Sequence, residues 1–297
     1  MRKPRLVLRA LCLCLLMAVA GCEKAMLDEL PGDGEQTAER AKGAVDVVLR
    51  VAPGTAYPYE TRAMTDLTEY CSRLNFVFYQ NGEKKKALTQ IKGEQADFGQ
   101  VKLALLPGTY KLMVLAHSSY GGNPVLSDPE AIQFTNKLSY SDTFYYYGDL
   151  EVNSDTTTHE LVLTRATSMV RFEVVDKLPA NLHYFHFQYT GGTGVLNVTT
   201  GYGGNVDSRQ EKKYEVDGYT APLVMPLYTF LPGDEGQLSI RAAALTKAGD
   251  TIAVRQFDHV PIERGKMTVV SGAFFDRDHT LTIKGETAWE ETHRITY

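Results

Sequence analysis

From Val45 onward, apolar residues recur at every second position in short runs, each stopped by glycine, proline or an Asn-Gly pair. A period of two puts residues i, i+2 and i+4 on one face of an extended chain, so the pattern suits strands half-buried on a sheet. In "VDVVLRV", Val45, Val47, Leu49 and Val51 share one face, while Asp46 and Arg50 take the other. "RLNFVFYQNG" aligns Leu74, Phe76 and Phe78 and then turns at Asn81-Gly82, a strong hairpin signal. "LALLPGTYKLMVLAHS" reads as two strands around Pro107-Gly108. The pattern continues through "DTFYYYGDLEV", "HELVLTR", "SMVRFEVVD", "YFHFQYT", "GVLNVTT", "KKYEV", "APLVMPLYTFL", "QLSIRAAAL", "DTIAVRQF", "KMTVVSGAFF" and "HTLTI". An all-β chain of about fifteen strands is expected, with few short helices, the clearest over Thr65 to Cys71.

The body, residues 44–297, is larger than a typical sandwich. Two tandem β-sandwich domains are therefore expected, 44–165 and 166–297, cut near Thr164 to Thr167. No short internal period is visible, which argues against propellers and solenoids.

The N-terminus follows another logic. Arg2, Lys3, Arg5 and Arg9 precede an apolar run from Ala10 to Ala20, about half the ~20 residues a spanning helix needs. A basic leader, a short apolar region and a small-residue end describe a secretory signal peptide, residues 1–21. Its end, Val19-Ala20-Gly21-Cys22, resembles a bacterial lipobox. Cleavage after Gly21 would leave Cys22 as an acylated first residue. The charged stretch that follows, residues 22–43 with Pro31, Gly32 and Gly34, is expected to be a flexible tether.

Cys12 and Cys14 leave with the signal and Cys22 carries lipid, so Cys71 stands alone and the mature chain has no internal disulfide partner. Without a nearby histidine in sequence, Cys71 reads as a small buried hydrophobe. The whole chain has 31 basic and 36 acidic residues; the mature part keeps 27 basic, a net −9. An acidic protein without a basic stripe is a poor nucleic-acid ligand.

Catalytic constellations fail individually. His183 and His186, three apart on a strand, fall on opposite faces. "HELVL" lacks a second histidine four residues after His159. "TGGTG", Thr190 to Gly194, is followed by no lysine and reads as a hairpin turn. "DRDH", Asp276 to His279, reads as a solvated turn, with cation binding the alternative, and no G-x-S-x-G elbow occurs. No enzyme, cofactor or metal is expected. Tyr145 to Tyr147 in "FYYYG" are either a sugar-stacking surface or ordinary strand packing. Asn197-Val-Thr199 matches a glycosylation sequon that a bacterial lipoprotein would not normally use. Asp155-Thr156-Thr157 and Asp250-Thr251-Ile252 resemble the short O-glycosylation motif of Bacteroidales exported proteins.

In their linear order, "EYCSRLNFVFYQNGEK", "FGQVKLALLPGTYKLMVLAHSS", "SDTFYYYGDLEV", "HELVLTRATSMVRFEVVD" and "PIERGKMTVVSGAFF" resemble the FimB-type fimbrium anchoring subunits of Bacteroidales, relatives of type V pilus subunits. The resemblance implies two transthyretin-like sandwiches without catalysis, in a lipoprotein at the fimbrial base, held in the outer membrane at the cell surface by acyl chains on Cys22. Its implied partner is a fimbrial shaft subunit joined by β-strand addition. It further implies that the first strand (Val45, Val47, Leu49, Val51) is retained. The C-terminal segment from Arg277, carrying His279, Leu281, Ile283, Trp289, Ile295 and Tyr297, becomes the candidate donor strand, unless "HTLTI" closes its own domain. Shaft subunits of that class lose their first strand to an arginine-specific protease. Arg62 after the first strand is therefore a possible alternative protease site, and cleavage there would make this a shaft or tip adhesin instead. A surface glycan-binding lipoprotein is the remaining reading.

Overall fold

The computed structural model describes residues 41–53, 67–120, 122–205, 208–276 and 291–296, which fall in one compact unit running from Ala41. The described residues are almost entirely β, as the alternation requires, with a single 3-10 turn at Leu67–Glu69 inside the short helical segment expected over Thr65 to Cys71, whose first two residues lie outside the described ones.

Eight strands come from the first part of the chain: β1 (Val45–Pro53), β2 (Arg73–Gln80), β3 (Glu83–Ile91), β4 (Gln100–Leu105), β5 (Gly108–His117), β6 (Ile132–Gln133), β7 (Phe144–Val152) and β8 (Thr157–Arg165). All but β6 form one sheet of order β3-β2-β5-β7-β8-β1-β4. Strands β7 and β8 pair only at Phe144↔Arg165 and Tyr145↔Thr164, so the sheet folds there into two layers. Between the layers lie Val47, Leu49, Leu74, Phe76, Phe78, Leu112, Val114, Phe144, Leu161 and Leu163, all essentially without solvent contact. The β2–β3 turn is made by Asn81 (φ 55°) and Gly82 (φ 78°), as the Asn-Gly pair demands.

The second part supplies β9 (Ser168–Val174), β10 (Tyr184–Thr190), β11 (Val195–Asn197), β12 (Tyr202–Gly203), β13 (Gln210–Glu215), β14 (Leu223–Thr229), β15 (Glu235–Leu245), β16 (Thr251–Glu263), β17 (Met267–Gly272) and β18 (Glu291–Thr296). Two four-stranded sheets, β13-β10-β15-β16 and β14-β9-β17-β18, enclose an aromatic core. Phe172 meets Phe187 edge-on at 5.0 Å, and Phe185 meets Phe274 likewise at 5.0 Å, the offset geometry that ring quadrupoles favour.

A third core joins the two parts. Val77, Tyr79, Met113 and Leu115, on the outer face of the first sheet, pack with Ile132, Phe134 and Tyr140 and with Leu196, Val198 and Phe230. A three-stranded sheet, β12-β11-β6, ties the same seam through Leu196↔Ile132 and Leu196↔Gly203. Beside it, fully buried His117 and Asn75 bond at 2.9 Å, and Asn75 donates to Thr89 Oγ1 at 2.9 Å. Where the chain passes between the parts, Arg165 forks onto Asp142 at 3.0 to 3.1 Å, Thr167 Oγ1 donates to the same carboxylate at 2.8 Å, and the guanidinium lies 4.8 Å from the Phe144 ring centre.

Two predictions follow from these buried groups. Arg165→Met strands the Asp142 carboxylate and should cost about 3–5 kcal/mol in urea unfolding, with most of it recovered when Asp142→Leu is added. Burial, with the charge of Arg73 second, lowers His117 to about 3 from its ordinary 6.5. The unfolded chain takes up that proton near pH 6.5 and the folded chain does not. Stability present above pH 6.5 should thus fall by about 1.4 kcal/mol per unit as pH drops toward 3. The melting temperature of His117→Gln should be flatter than wild type across that window.

Candidate functional site

Strand β1 is the best-placed candidate, because it lies inside its sheet rather than at an edge. It pairs antiparallel with β4 from Val45↔Leu105 to Arg50↔Gln100, and parallel with β8 from Val47↔Thr157 to Pro53↔Leu163. Val47 and Leu49 are wholly buried, and Val45 and Val51 are half-buried against the same core. The opposite face carries charges that are tied to both neighbours: Arg50 reaches Glu160 at 3.2 Å, and Lys102 reaches Asp46 at 3.4 Å. Burying one Val or Leu side chain is worth about 1.5–3 kcal/mol, so loss of β1 would open an apolar groove flanked by two unpaired ladders. Arg62, like Gly21 and Cys22, lies outside the described residues.

The C-terminal strand is held differently. β18 pairs parallel with β17 through Thr268↔His293, Val269↔Arg294, Val270↔Ile295 and Ser271↔Thr296, and it has no second neighbour among the described strands. Of the candidate donor residues, Ile295 therefore sits on an edge strand of its own chain's sheet. His279, Leu281, Ile283, Trp289 and Tyr297 lie outside the described residues. The point where the chain leaves β17 is fixed by Asp176, whose carboxylate accepts the backbone N–H groups of Phe274, Phe275 and Asp276 at 2.8, 2.7 and 3.0 Å. Arg255 donates to the Phe274 and Asp276 carbonyls at 3.0 and 2.8 Å. Sequence reasoning missed this clamp, since "VVD" at the end of a strand carries no sign of what its aspartate caps.

The other singled-out residues separate. His183 stands between Glu215 and Asp217 at 3.3 Å each, while His186 faces Glu211 at 3.4 Å. His159 bonds the Thr157 hydroxyl at 3.1 Å. The Asn197 side chain accepts from both the N–H and the hydroxyl of Thr199, a local turn. Asp155, Thr156, Asp250 and Thr251 are exposed. "TGGTG" is not a hairpin turn: β10 and β11, on either side of it, belong to different sheets. Its glycines allow close crossing, because a Cβ on Gly191 would overlap the Gln237 carbonyl, one on Gly192 the Thr229 hydroxyl, and one on Gly194 the Tyr140 hydroxyl. Tyr145 to Tyr147 do not share one surface. Tyr146 packs against the first core, whereas Tyr145 and Tyr147 pack against the seam, with the Tyr145 hydroxyl where a Cβ of Gly201 would be.

Cys71 is buried, with its Sγ 3.6 Å from the Leu67 carbonyl oxygen, and burial pushes its thiol up to about 12. The thiolate is the reactive form, so iodoacetamide should leave Cys71 unmodified in the native protein at pH 8 and label it fully in denaturant.

Solved structures superpose on this chain only loosely. A candidate adhesin from Bacteroides ovatus superposes with a TM-score of 0.49 at 12% identity, covering 77% of this chain and 87% of the other. A fimbrial assembly protein from Parabacteroides distasonis gives 0.41 at 12%, covering 77% and 91%. The fimbrial anchor protein Mfa2 from Porphyromonas gingivalis gives 0.38 at 14%, covering 72% and 82%. No curated protein sequence matches significantly. The model of a family of unknown function, DUF6562, matches residues 38–296, nearly the whole body, so the family shown carries no assigned role and differs in name from the FimB-type anchors. The chain belongs to the DUF6562 family.

Proposed function

We propose that this chain is a lipid-anchored subunit at the base of a type V fimbrium, fixed in the outer membrane through acyl chains on Cys22 and joined to a shaft subunit by strand addition. The observation that carries the reading is the contrast between the two terminal strands. β1 is paired on both sides and buries Val47 and Leu49, whereas β18 is an edge strand with one described neighbour. A subunit that keeps its first strand has no groove to offer an incoming strand. If its C-terminal segment is donated, it can only end a filament, and growth stops where it is incorporated. Several acyl chains at roughly 0.8 kcal/mol per buried methylene make such an attachment effectively permanent.

Two alternatives bear on the same strands. Cleavage after Arg62 would free β1 and turn the protein into an acceptor, a shaft or tip subunit. A surface glycan-binding lipoprotein needs the anchor but no donated strand. The fimbrial names of the superposed structures accord with the proposal, which rests on the strand arrangement and the lipobox.

Intact-mass and N-terminal analysis of the protein from its own outer membrane tests the reading. We expect a chain starting at acylated Cys22 and still containing Val45 to Val51. A chain starting at Ala63 would refute it.

A further inference from the structure

The outer face of sheet β3-β2-β5-β7 is covered along most of its length, but its far end is open. Register defines successive rows across β2, β5 and β7: Asn75–Leu115–Tyr145, then Val77–Met113–Tyr147, then Tyr79–Lys111–Asp149, with Thr109 opposite Glu151 beyond. The first two rows are mainly apolar and lie under the seam core. The last two emerge from it and turn polar. They form an open cleft of about 260 Å³ lined by Tyr79, Thr109, Lys111, Tyr147 and Asp149, walled by Pro129 and by the Asn81-Gly82 hairpin.

We propose that this cleft binds a neutral pyranose sugar, with one face of the sugar ring against Tyr147 and its hydroxyls on Lys111, Asp149 and Thr109. A pyranose is amphipathic, with an axial C–H face and an equatorial belt of hydroxyls. It therefore fits a surface that changes from aromatic to polar between successive same-face residues of one strand. Tyr147 is half-buried, which fixes its ring while leaving part of it open. Lys111 Nζ stands 6.0 Å from the ring centre, at the limit of a cation–π contact. Lys111 and Asp149 form a 2.7 Å ion pair whose side chains are 48% and 59% exposed, so donors and acceptors are held in place yet remain open to hydroxyl groups. Thr109 is oriented by donating to Glu151 at 2.9 Å. Tyr79 contributes shape only, because its hydroxyl already donates to the Leu126 carbonyl at 3.0 Å. The charged side chains lining the cleft, Lys111 and Asp149, balance each other, which suits a neutral sugar better than a uronic, sialic or sulfated one.

The inference does not depend on the anchoring proposal, since the cleft is formed whether β1 is retained or exchanged. The test is a glycan array of neutral and acidic oligosaccharides probed with the detergent-solubilised full chain, followed by titration of the best neutral hit. Saturable binding of neutral glycans is expected. Affinity should fall at least tenfold in Tyr147→Leu, which keeps an apolar side chain against the core, and in Asp149→Asn, which sits at an exposed position. Tyr219→Leu, an exposed tyrosine elsewhere, should bind as wild type. No saturable binding, binding of acidic glycans alone, or binding unchanged in both cleft variants would overturn the proposal.

Discussion

Each part of this protein is closed by pairing its first strand in parallel with one near its end, β1 with β8 and β9 with β17. Parallel neighbours cannot be joined by a tight turn, so everything between them in sequence must travel around the core before the closing pair forms. The hairpins β2–β3 and β15–β16 can form locally, but the layers they belong to stay open until strands far apart in the chain meet. The contacts that fasten those meetings are correspondingly distant: Arg50 with Glu160, and Asp176 with the backbone at Phe274. Topologies of this kind fold slowly. They also make the first strand a structural keystone, since β1 and β9 each lie between two neighbours and neither can leave without dividing its sheet.

The seam adds a second requirement. Its apolar residues come from both parts of the chain, so neither part presents a finished surface there by itself. Two sets of buried polar groups at the seam are paired with one another. His117, Asn75 and Thr89 form a chain, and Asp142, Arg165 and Thr167 form a fork. Such networks tolerate few alternative alignments, because a shifted register would leave a buried donor or acceptor unpaired.

Much of this was legible in the residues. Alternation in "VDVVLRV" identified the buried face of β1, and Asn81-Gly82 identified a turn whose positive φ values the structure contains. Strand β3 carries no legible alternation, because Lys84, Lys85 and Lys86 are all exposed at the sheet edge and erase any period of two. Strands β6 and β12 are two residues long and exist through partners far away in sequence, so no local pattern marks them. Parallel pairing of β1 with β8 is equally silent, since alternation fixes a face and not a neighbour. For the candidate site, the tyrosine run drew the eye to three residues, of which register leaves only Tyr147 at an open cleft. Its companions Lys111 and Asp149 come from cross-strand pairing, which no linear motif encodes.

The close crossing at Gly191, Gly192 and Gly194 has a mechanical meaning. Where side chains meet, a joint can bend by changing rotamers. At Gly191 backbone meets the Gln237 carbonyl directly, and no rotamer is there to yield. Together with the sheet that bridges the seam, this crossing makes the join between the two parts stiff rather than hinged. A pull on one part would be passed to the other through the seam instead of being taken up by a hinge.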